Sequence, residues 1–257
     1  MAPLFARTLV CALVGTAPAA AAASERPTLG LLCLRSPDPV IMEAACETLI
    51  DNPADAKAAG LSEAQLLYRR AAARNRLPKR DPADLERSLA DLAMLRRKHG
   101  PHHLLAQESG RALAHLLRFD AAEAAYAEAE RLGAAAASVP AHQRADYWAA
   151  RSGTAFLAGR FEDALAFVDR SLAADRSGDP IDTFRLSILN ALGRYGEAED
   201  GASALLAKEP GNVSALLVRS EAYRMMRMFP FARRDLDAVE RLDPDNEYLA
   251  EKRARLK

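Results

Sequence analysis

Apolar residues in the C-terminal half of the chain recur at the spacing of α-helices. Between Ile181 and Leu192 they fall every three or four residues, which places them along one stripe of a helix. Gly193 follows, a residue type that adopts the left-handed, helix-ending conformation at little cost. A second apolar segment begins at Tyr195 and stops at Pro210, which cannot continue a helix. The pattern predicts two helices joined by a short turn.

This helix pair is repeated along the chain. Aromatic residues stand 34 residues apart at Phe161, Tyr195 and Phe229, and an alanine follows each of them at a constant offset. A fixed period of this length indicates a stack of similar units rather than a core built around one active site. Such stacks usually serve as binding surfaces.

The residues at these offsets resemble the tetratricopeptide (TPR) family. Its pattern has a small residue midway along the first helix, then a turn glycine, an aromatic residue, an alanine and a closing proline. Three positions depart from the pattern: Asp182 replaces an aromatic residue early in the first helix, Leu186 the small residue and Arg227 the turn glycine. A further copy lies 42 residues upstream, and its junction at residues 98–106 resembles the longer TPR variant of kinesin light chains. The matching positions include Trp148, Ser152, Gly159, Phe161, Ala164, Ala198, Ala202, Ser220, Tyr223, Ala232, Leu236 and Pro244, with Gly110, Phe119, Ala122, Tyr126 and Ala129 in the upstream copy.

The resemblance implies an all-α fold: a right-handed α-solenoid of about five TPR-like helix-turn-helix repeats with a C-terminal capping helix. The repeats would be residues 103–136, 145–178, 179–212 and 213–246. A degenerate repeat at 61–102 would precede them, with a first helix over 61–76 and a second that starts at Asp81-Pro82 and runs to about Lys98. Residues 24–60 would form an N-terminal segment, and a polar helix over 247–257 would cap the last repeat.

The first 23 residues have the pattern of a secretory signal peptide. Arg7 precedes an apolar run over residues 8–14, and small residues lead to Ala23. A disordered Ala-rich leader is the alternative. A membrane-spanning helix needs ~20 apolar residues, and Pro18 interrupts a run that is shorter than this. We expect export, with the periplasm as the first choice of compartment and the extracellular space as the second.

Cys33 and Cys46 remain after such a cleavage. An even number of cysteines in an exported protein suggests a disulfide, which would pin an extended segment around Cys33 onto a helical run from Val40 to Ile50. A loop of this size corresponds to roughly 3 kcal/mol in the chain-entropy treatment. A cysteine followed by a helix with a second cysteine near its middle also resembles exported bacterial TPR proteins. A zinc site would need four ligands, and no histidine lies nearby in sequence.

The charges balance, with 35 basic and 35 acidic residues, so the basic excess of a nucleic-acid binder is missing overall. Locally, basic residues cluster near one end of the predicted stack. This cluster predicts a solvated helix face, with docking onto an acidic surface as the alternative. It comprises Arg69, Arg70, Arg74, Arg76, Lys79 and Arg80.

Catalytic motifs are missing from the sequence: it has no Gly-rich phosphate loop, no Gly-x-Ser-x-Gly elbow and no His-Glu-x-x-His. His99, His102 and His103 share one turn, which invites a metal hypothesis. They also occupy the predicted junction between repeats, which favours a structural role. We therefore predict no catalytic residue, no cofactor and no metal.

The resemblance implies a concave groove lined by the first helices of the repeats. The positions that would face it are mixed in polarity and charge, and they lack the Lys and Asn array of the TPR carboxylate clamp. Candidate partner-binding residues are Gln107, Arg111, His115, Asp146, Gly153, Phe156, Thr183, Ser187, Asn190, Leu217, Glu221, Arg224 and Met225.

A methionine cluster and a repeated arginine position each allow two interpretations. Met225, Met226 and Met228 would form either an adaptable contact surface or, for at least one of them, core. Arg151, Arg185 and Arg219 recur at one repeat position, which suggests a shared structural role such as bonding to a neighbouring carboxylate. A ladder of ligand-binding arginines is the alternative.

These observations predict a non-enzymatic protein–protein interaction module of the bacterial envelope, which binds a peptide or helix of a partner protein in the concave groove. The alternative is a structural or self-assembling subunit of a larger envelope or secretion complex. We expect no nucleic-acid partner and no integral membrane segment after signal cleavage. A fold resemblance does not identify the partner.

Overall fold

The computed structural model describes residues 28–175 and 179–256. The predicted signal peptide lies outside the described residues. Within those two ranges the chain forms fourteen helices and no strand. It divides into two compact units, unit 1 (Met1–Pro140) and unit 2 (Ala141–Lys257). The predicted all-α class is therefore confirmed.

Unit 1 contains seven helices in its described part. They are α1 (Leu29–Arg35), α2 (Pro39–Asp51), α3 (Pro53–Ala58), α4 (Glu63–Arg74), α5 (Pro82–His99), α6 (His103–His115) and α7 (Phe119–Arg131). Side chains of Ser62, Asp81 and His102 accept hydrogen bonds from the first-turn amides of α4, α5 and α6. These N-caps satisfy backbone donors that have no partner inside the helix.

The N-terminal helices are joined covalently. The sulfurs of Cys33 in α1 and Cys46 in α2 lie 2.07 Å apart in a disulfide, and both residues are fully buried. The prediction of an extended segment around Cys33 is wrong, because residues 29–35 are helical. The side chain of Thr28 caps this helix by accepting a hydrogen bond from the Leu31 amide. The cap stabilises a helix of only seven residues.

Two arginines of the basic cluster, Arg70 and Arg74 of α4, belong to an internal ionic network. The side chain of Arg74 is only 4% exposed and lies 2.8 Å from Glu43, 2.5 Å from Glu47 and 3.4 Å from Asp91. Arg70 also binds Asp91. The expectation of a solvated helix face is therefore wrong for these two arginines: burying guanidinium groups requires carboxylate partners, and α2 and α5 supply them.

Unit 2 contains three helix pairs and a short final helix in its described part. They are α8 (Ala141–Leu157), α9 (Phe161–Ala174), α10 (Asp179–Ala191), α11 (Tyr195–Lys208), α12 (Val213–Met225), α13 (Phe229–Leu242) and α14 (Leu249–Ala254). Leu249 and Leu256 are buried in one cluster with Leu216 of α12 and Leu236 of α13. The final helix is therefore held by apolar packing against the preceding pair.

In two helix pairs, a large side chain on one helix packs against a glycine on the other, and the pairs differ in which helix carries the glycine. In the α6–α7 pair, a Cβ on Gly110 would lie 2.9 Å from the ring of the fully buried Tyr126. In the α10–α11 pair the large residue is Leu186 on the first helix, and a Cβ on Gly201 would lie 2.4 Å from it. Leu186, which departs from the family pattern, thus fills space that a glycine leaves on its partner helix.

In four helix pairs, α6–α7, α8–α9, α10–α11 and α12–α13, the turn between the helices contains a residue in the left-handed backbone conformation. The φ angle is 73° at Gly159 and 75° at Gly193, but the corresponding residues in the other two turns are Leu117 at 59° and Arg227 at 62°. Residues with a Cβ adopt this region at an energetic cost. The turn geometry is therefore kept even where the sequence lacks glycine.

Candidate binding groove

A groove opens on unit 2 between the first helices of its last two pairs and the final helix. Its cavity volume is about 430 Å³, and α10, α12 and α14 supply its walls. The cavity is lined by Thr183, Phe184, Ser187, Asn190, Ser214, Leu217, Val218, Glu221, Tyr248 and Lys252.

Apolar side chains form much of the lining. Phe184 packs against Phe156, with ring centroids 5.5 Å apart in an edge-on arrangement. Leu217 packs against the buried cluster that also holds α14. Tyr248 is 51% exposed and presents an aromatic face at the other wall. A surface of this kind gains free energy by covering an apolar side chain of a ligand.

Asn190 has a fixed orientation in the groove wall. Its Nδ2 donates to the backbone oxygen of Val218 at 2.9 Å, which links α10 to α12. Only the amide nitrogen can donate, so this bond settles which way the amide points. The Oδ1 atom is buried and no donor among the described residues reaches it.

Charged groups lie along one side of the groove. The carboxylate of Glu221 accepts from Arg224 at 2.6 Å and lies 3.3 Å from the amine of Lys252. Burial alone would raise the pKa of Glu221, but the hydrogen bond from Arg224 and the charge of Lys252 hold it below its ordinary value. Glu221 is therefore ionised at neutral pH and the charges on this side are paired.

Five of the residues predicted to face a groove lie together in this one. Thr183, Ser187 and Asn190 come from α10, and Leu217 and Glu221 come from α12. Arg224 contacts the groove through Glu221, whereas the exposed Met225 is not part of the lining.

The other predicted residues lie elsewhere. Phe156 packs in the core against Phe161 and Phe184, and Asp146 is on α8 outside the lining. Gln107, Arg111 and His115 are on α6 of unit 1, where Gln107 is buried.

Sequence reasoning missed Tyr248 and Lys252, which it assigns only to a capping helix. The signal was present in the repeat period. Phe184, Val218 and Lys252 are spaced by 34 residues, and so are Ser214 and Tyr248. The final helix thus occupies the slot of a further first helix. Lys252 lines the groove at the repeat position of Phe184 and Val218, and Tyr248 does so at the position of Ser214.

The repeated arginines have structural partners. Arg219 forms two hydrogen bonds with Asp235, at 2.8 and 2.7 Å, and Arg185 binds Asp169 at 2.6 Å. The guanidinium of Arg151 lies 4.5 Å from the ring centroid of Phe167. The predicted bonding to neighbouring carboxylates is confirmed for Arg185 and Arg219. Among the methionines, Met226 packs against a core cluster, whereas Met225 and Met228 are exposed.

Within the described residues, no three side chains of His, Cys, Asp or Glu are placed to hold a metal ion. No helix of this part of the chain has the length and apolar character to cross a membrane. His102 instead acts as the N-cap of α6 through its Nδ1.

Comparison with solved structures identifies the fold. A tetratricopeptide repeat protein from Parabacteroides merdae matches with a TM-score of 0.60 and 16% identity, over 86% of this chain and 79% of its own. The chain has the TPR fold. PilF from Pseudomonas aeruginosa matches with a TM-score of 0.59 and 14% identity, over 88% of this chain and 94% of its own. YrrB, described as a TPR protein with an unusual peptide-binding site, matches with a TM-score of 0.54 and 15% identity, over 81% of this chain and 96% of its own.

Sequence comparison is consistent with this assignment over part of the chain. Sperm-associated antigen 1 from Rattus norvegicus is 33% identical over 93 residues, which is 36% of this chain. The matched region spans about a tenth of the length of that relative. No family model matches the chain. The TPR fold is typical of protein-interaction modules, and stacked repeats of this type offer extended binding surfaces.

Proposed function

We propose that this TPR protein binds a peptide segment of a partner protein in the groove formed by α10, α12 and α14. The observation that carries the proposal is the groove itself. It brings together five residues selected from the repeat pattern, Leu217 among them, and adds the apolar side chains of Phe184 and Val218. The exposed Tyr248 adds an aromatic anchor of the type that dominates binding energy at interfaces.

The chemistry of the groove defines the segment that fits it. An apolar side chain of the segment would cover Leu217 and Phe184, while polar groups along it would meet Ser187, Glu221 and Lys252. The charges of Glu221 and Lys252 are already paired, so they favour specificity over raw affinity. The structural neighbour YrrB supports this use of the fold, since it is a TPR protein with a peptide-binding site.

The setting of this activity follows from the predicted signal peptide. In the proposal the protein acts after export, in the bacterial envelope, and is not an enzyme. The disulfide between Cys33 and Cys46 supports this setting, because such bonds persist in oxidising compartments.

The test is a selection of peptides from a random display library against the protein from Ser24 onward, followed by affinity measurements. Ser214 is exposed at the groove wall, so Ser214→Trp obstructs the groove without touching the core. The matched control is Leu242→Trp, at a 52% exposed site outside the groove. We expect the selected peptides to lose at least about tenfold in affinity for Ser214→Trp only. Equal affinity for both variants would refute the groove as the binding site.

A second candidate function is self-assembly through the N-terminal helices. Leu31, Val40 and Ile41 are 48%, 53% and 45% exposed on α1 and α2, and exposed apolar side chains in a group favour association. Sedimentation velocity over a range of concentrations tests it. A mass that rises with concentration, and that Val40→Glu/Ile41→Glu returns to that of a monomer, would establish this function.

A further inference from the structure

A patch of exposed apolar side chains lies at the turn between α12 and α13. Met225, Met228, Phe229 and Phe231 are each between 37% and 44% exposed, and they fall within seven consecutive residues. They lie outside the lining of the groove formed by α10, α12 and α14. Large apolar side chains that are exposed as a group mark a contact surface, whereas single ones are ordinary. This patch is therefore a candidate contact surface separate from the groove.

The two preceding helix pairs carry ion pairs where this patch is apolar. In each of them the residue before the second helix is an arginine that pairs with an acid three residues later. These ion pairs are Arg160–Asp163, at 3.6 Å, and Arg194–Glu197, at 2.6 Å. The equivalent residues of the α12–α13 pair, 34 residues after the second of these, are Met228 and Phe231. Two apolar side chains thus stand at exposed positions that the other pairs fill with charges, so the fold itself does not require them.

The charges around the patch are positive. From residue 222 to residue 234 the sequence has four arginines and no acid. Arg224 is paired with an acid of its own helix, whereas Arg227 and Arg234 are exposed and no carboxylate of the described residues pairs with them. The guanidinium of Arg234 lies 5.6 Å from the ring centroid of Phe231, so a cation stands beside the patch. The surface therefore combines exposed apolar groups with unneutralised positive charge.

The position and charge of the patch fit the surface of an anionic membrane. The patch lies at the end of a helix pair, where Phe and Met side chains can enter the interface between headgroups and acyl chains. Arginine stems lie along apolar surface while the guanidinium groups stay at the level of the phosphates. A symmetric contact with a second copy would instead set the arginines of one copy against those of the other, which like-charge repulsion opposes. An anionic lipid surface satisfies both the apolar and the basic part of the patch.

We propose that this end of the α12–α13 pair docks on a membrane surface that contains anionic lipid. The docking surface, termed the membrane tip, comprises Met225, Arg227, Met228, Phe229, Phe231 and Arg234. The apolar side chains enter the interfacial region, and the two arginines bind lipid phosphates. The residues of the membrane tip take no part in the groove lining, so this activity goes beyond the proposed function and does not depend on it.

The test is sedimentation of the protein, from Ser24 onward, with vesicles of phosphatidylcholine or of an equal mixture of phosphatidylcholine and phosphatidylglycerol. We expect binding to the anionic vesicles to be at least about tenfold tighter, because basic residues are attracted to their surface. A Phe229→Trp variant reports insertion, since the native Trp148 is buried. Its fluorescence should be quenched by brominated acyl chains in the anionic vesicles. Binding to neither vesicle, or fluorescence that the brominated chains leave unchanged, would overturn the proposal.

Met228→Arg/Phe231→Glu is the decisive variant for the apolar part, because it rebuilds the ion pair of the other two turns and leaves the net charge unchanged. It should weaken binding to the anionic vesicles about tenfold or more, since two apolar side chains are lost from the contact. Circular dichroism and the urea unfolding midpoint check that the variant keeps the fold. A folded variant with the affinity of the wild type would refute insertion of the membrane tip.

Arg227→Gln/Arg234→Gln tests the basic part and should lower the affinity for the anionic vesicles about tenfold. The matched control, Arg97→Gln/Arg241→Gln, removes the same charge from exposed sites outside the membrane tip. It should change the affinity by less than about twofold, because salt screens distant exposed charges. Equal weakening by both variants would show attraction to net charge only. Binding to poly-glutamate as tight as binding to the vesicles would indicate an acidic polypeptide partner, and either result would overturn the proposal.

Discussion

The amine of Lys252, near the C-terminus, lies 3.3 Å from the carboxylate of Glu221 on α12. This contact ties the final helix to the wall of the groove, and Leu249 and Leu256 hold that helix by apolar packing. The last helix is therefore a wall of the binding site as well as a cover for the last repeat.

The first prediction concerns this wall. Tyr248 is 51% exposed and lines the groove, so Tyr248→Ala should change the free energy of unfolding by less than about 1 kcal/mol. It should nevertheless weaken groove-selected peptides about tenfold, since exposed aromatic anchors contribute strongly to binding. Isothermal titration calorimetry measures the loss, with Leu242→Ala as the equally exposed control. Unchanged affinity in Tyr248→Ala would show that Tyr248 is not an anchor of the site.

The second prediction concerns the turns without glycine. Leu117 and Arg227 have φ angles of 59° and 62°, and both side chains are exposed. Leu117→Gly and Arg227→Gly should each stabilise the protein by up to about 1 kcal/mol, because the relief of the left-handed conformation exceeds the entropy that glycine adds to the unfolded chain. Urea unfolding measures the change. A loss of stability in both variants would contradict the assigned turn geometry.

A third prediction separates two helical glycines by their surroundings. A Cβ at Gly110 would meet the ring of Tyr126 at 2.9 Å, whereas nothing lies within 4 Å of a Cβ at Gly153. Gly110→Ala should therefore cost roughly 1–3 kcal/mol by overpacking. Gly153→Ala, inside α8, should gain roughly 0.5–1 kcal/mol from helix propensity. The two unfolding curves should shift in opposite directions, and a shift in the same direction would count against the packing described.

Much of the architecture was predictable from the sequence, because its cause is local and repeated. The helices that begin near Ile181 and at Tyr195, and the cap of α5 at Asp81, follow from apolar spacing, glycine, proline and capping residues. The pairing of Leu186 with Gly201 was not predictable, because the two residues meet only when the helices pack.

The groove was predictable in part. The repeat period selected the positions on α10 and α12, but the same period was not carried into the last residues, where Tyr248 and Lys252 continue it. Whether the basic residues of α4 are buried or face solvent depends on acids more than fifteen residues away in the sequence, such as Asp91 and Glu47. Charge clustering along the chain therefore could not distinguish an internal network from a surface.

A fourth prediction concerns pH. His102 caps α6 by accepting from the Leu104 amide through Nδ1, which requires an unprotonated atom there. Burial, and then the charge of His103, lowers the pKa of His102 to about 4, against about 6.5 in an unfolded chain. Between these values the unfolded state binds more protons, so stability is fully present above pH 6.5 and falls as the pH drops towards 4.

The measurement is urea unfolding at pH 7 and pH 5. His102→Asn keeps an N-cap acceptor that does not titrate, so this variant should lose roughly 2 kcal/mol less than the wild type between the two pH values. His115, whose pKa is lowered to about 4 as well, should supply a further part of the remaining dependence. An identical loss in wild type and His102→Asn would contradict the role given to this histidine.

The central claim is that α10, α12 and α14 form the surface that holds the partner. The most direct measurement replaces Ser214 in the groove by a photo-crosslinking amino acid and, in a matched variant, Leu242 outside the groove. Crosslinking is carried out inside the cells that produce each variant. The account predicts one discrete partner protein crosslinked through Ser214, displaced by a groove-selected peptide and missing from the Leu242 variant. The same crosslinked species from both positions, or species that the peptide does not displace, would contradict it.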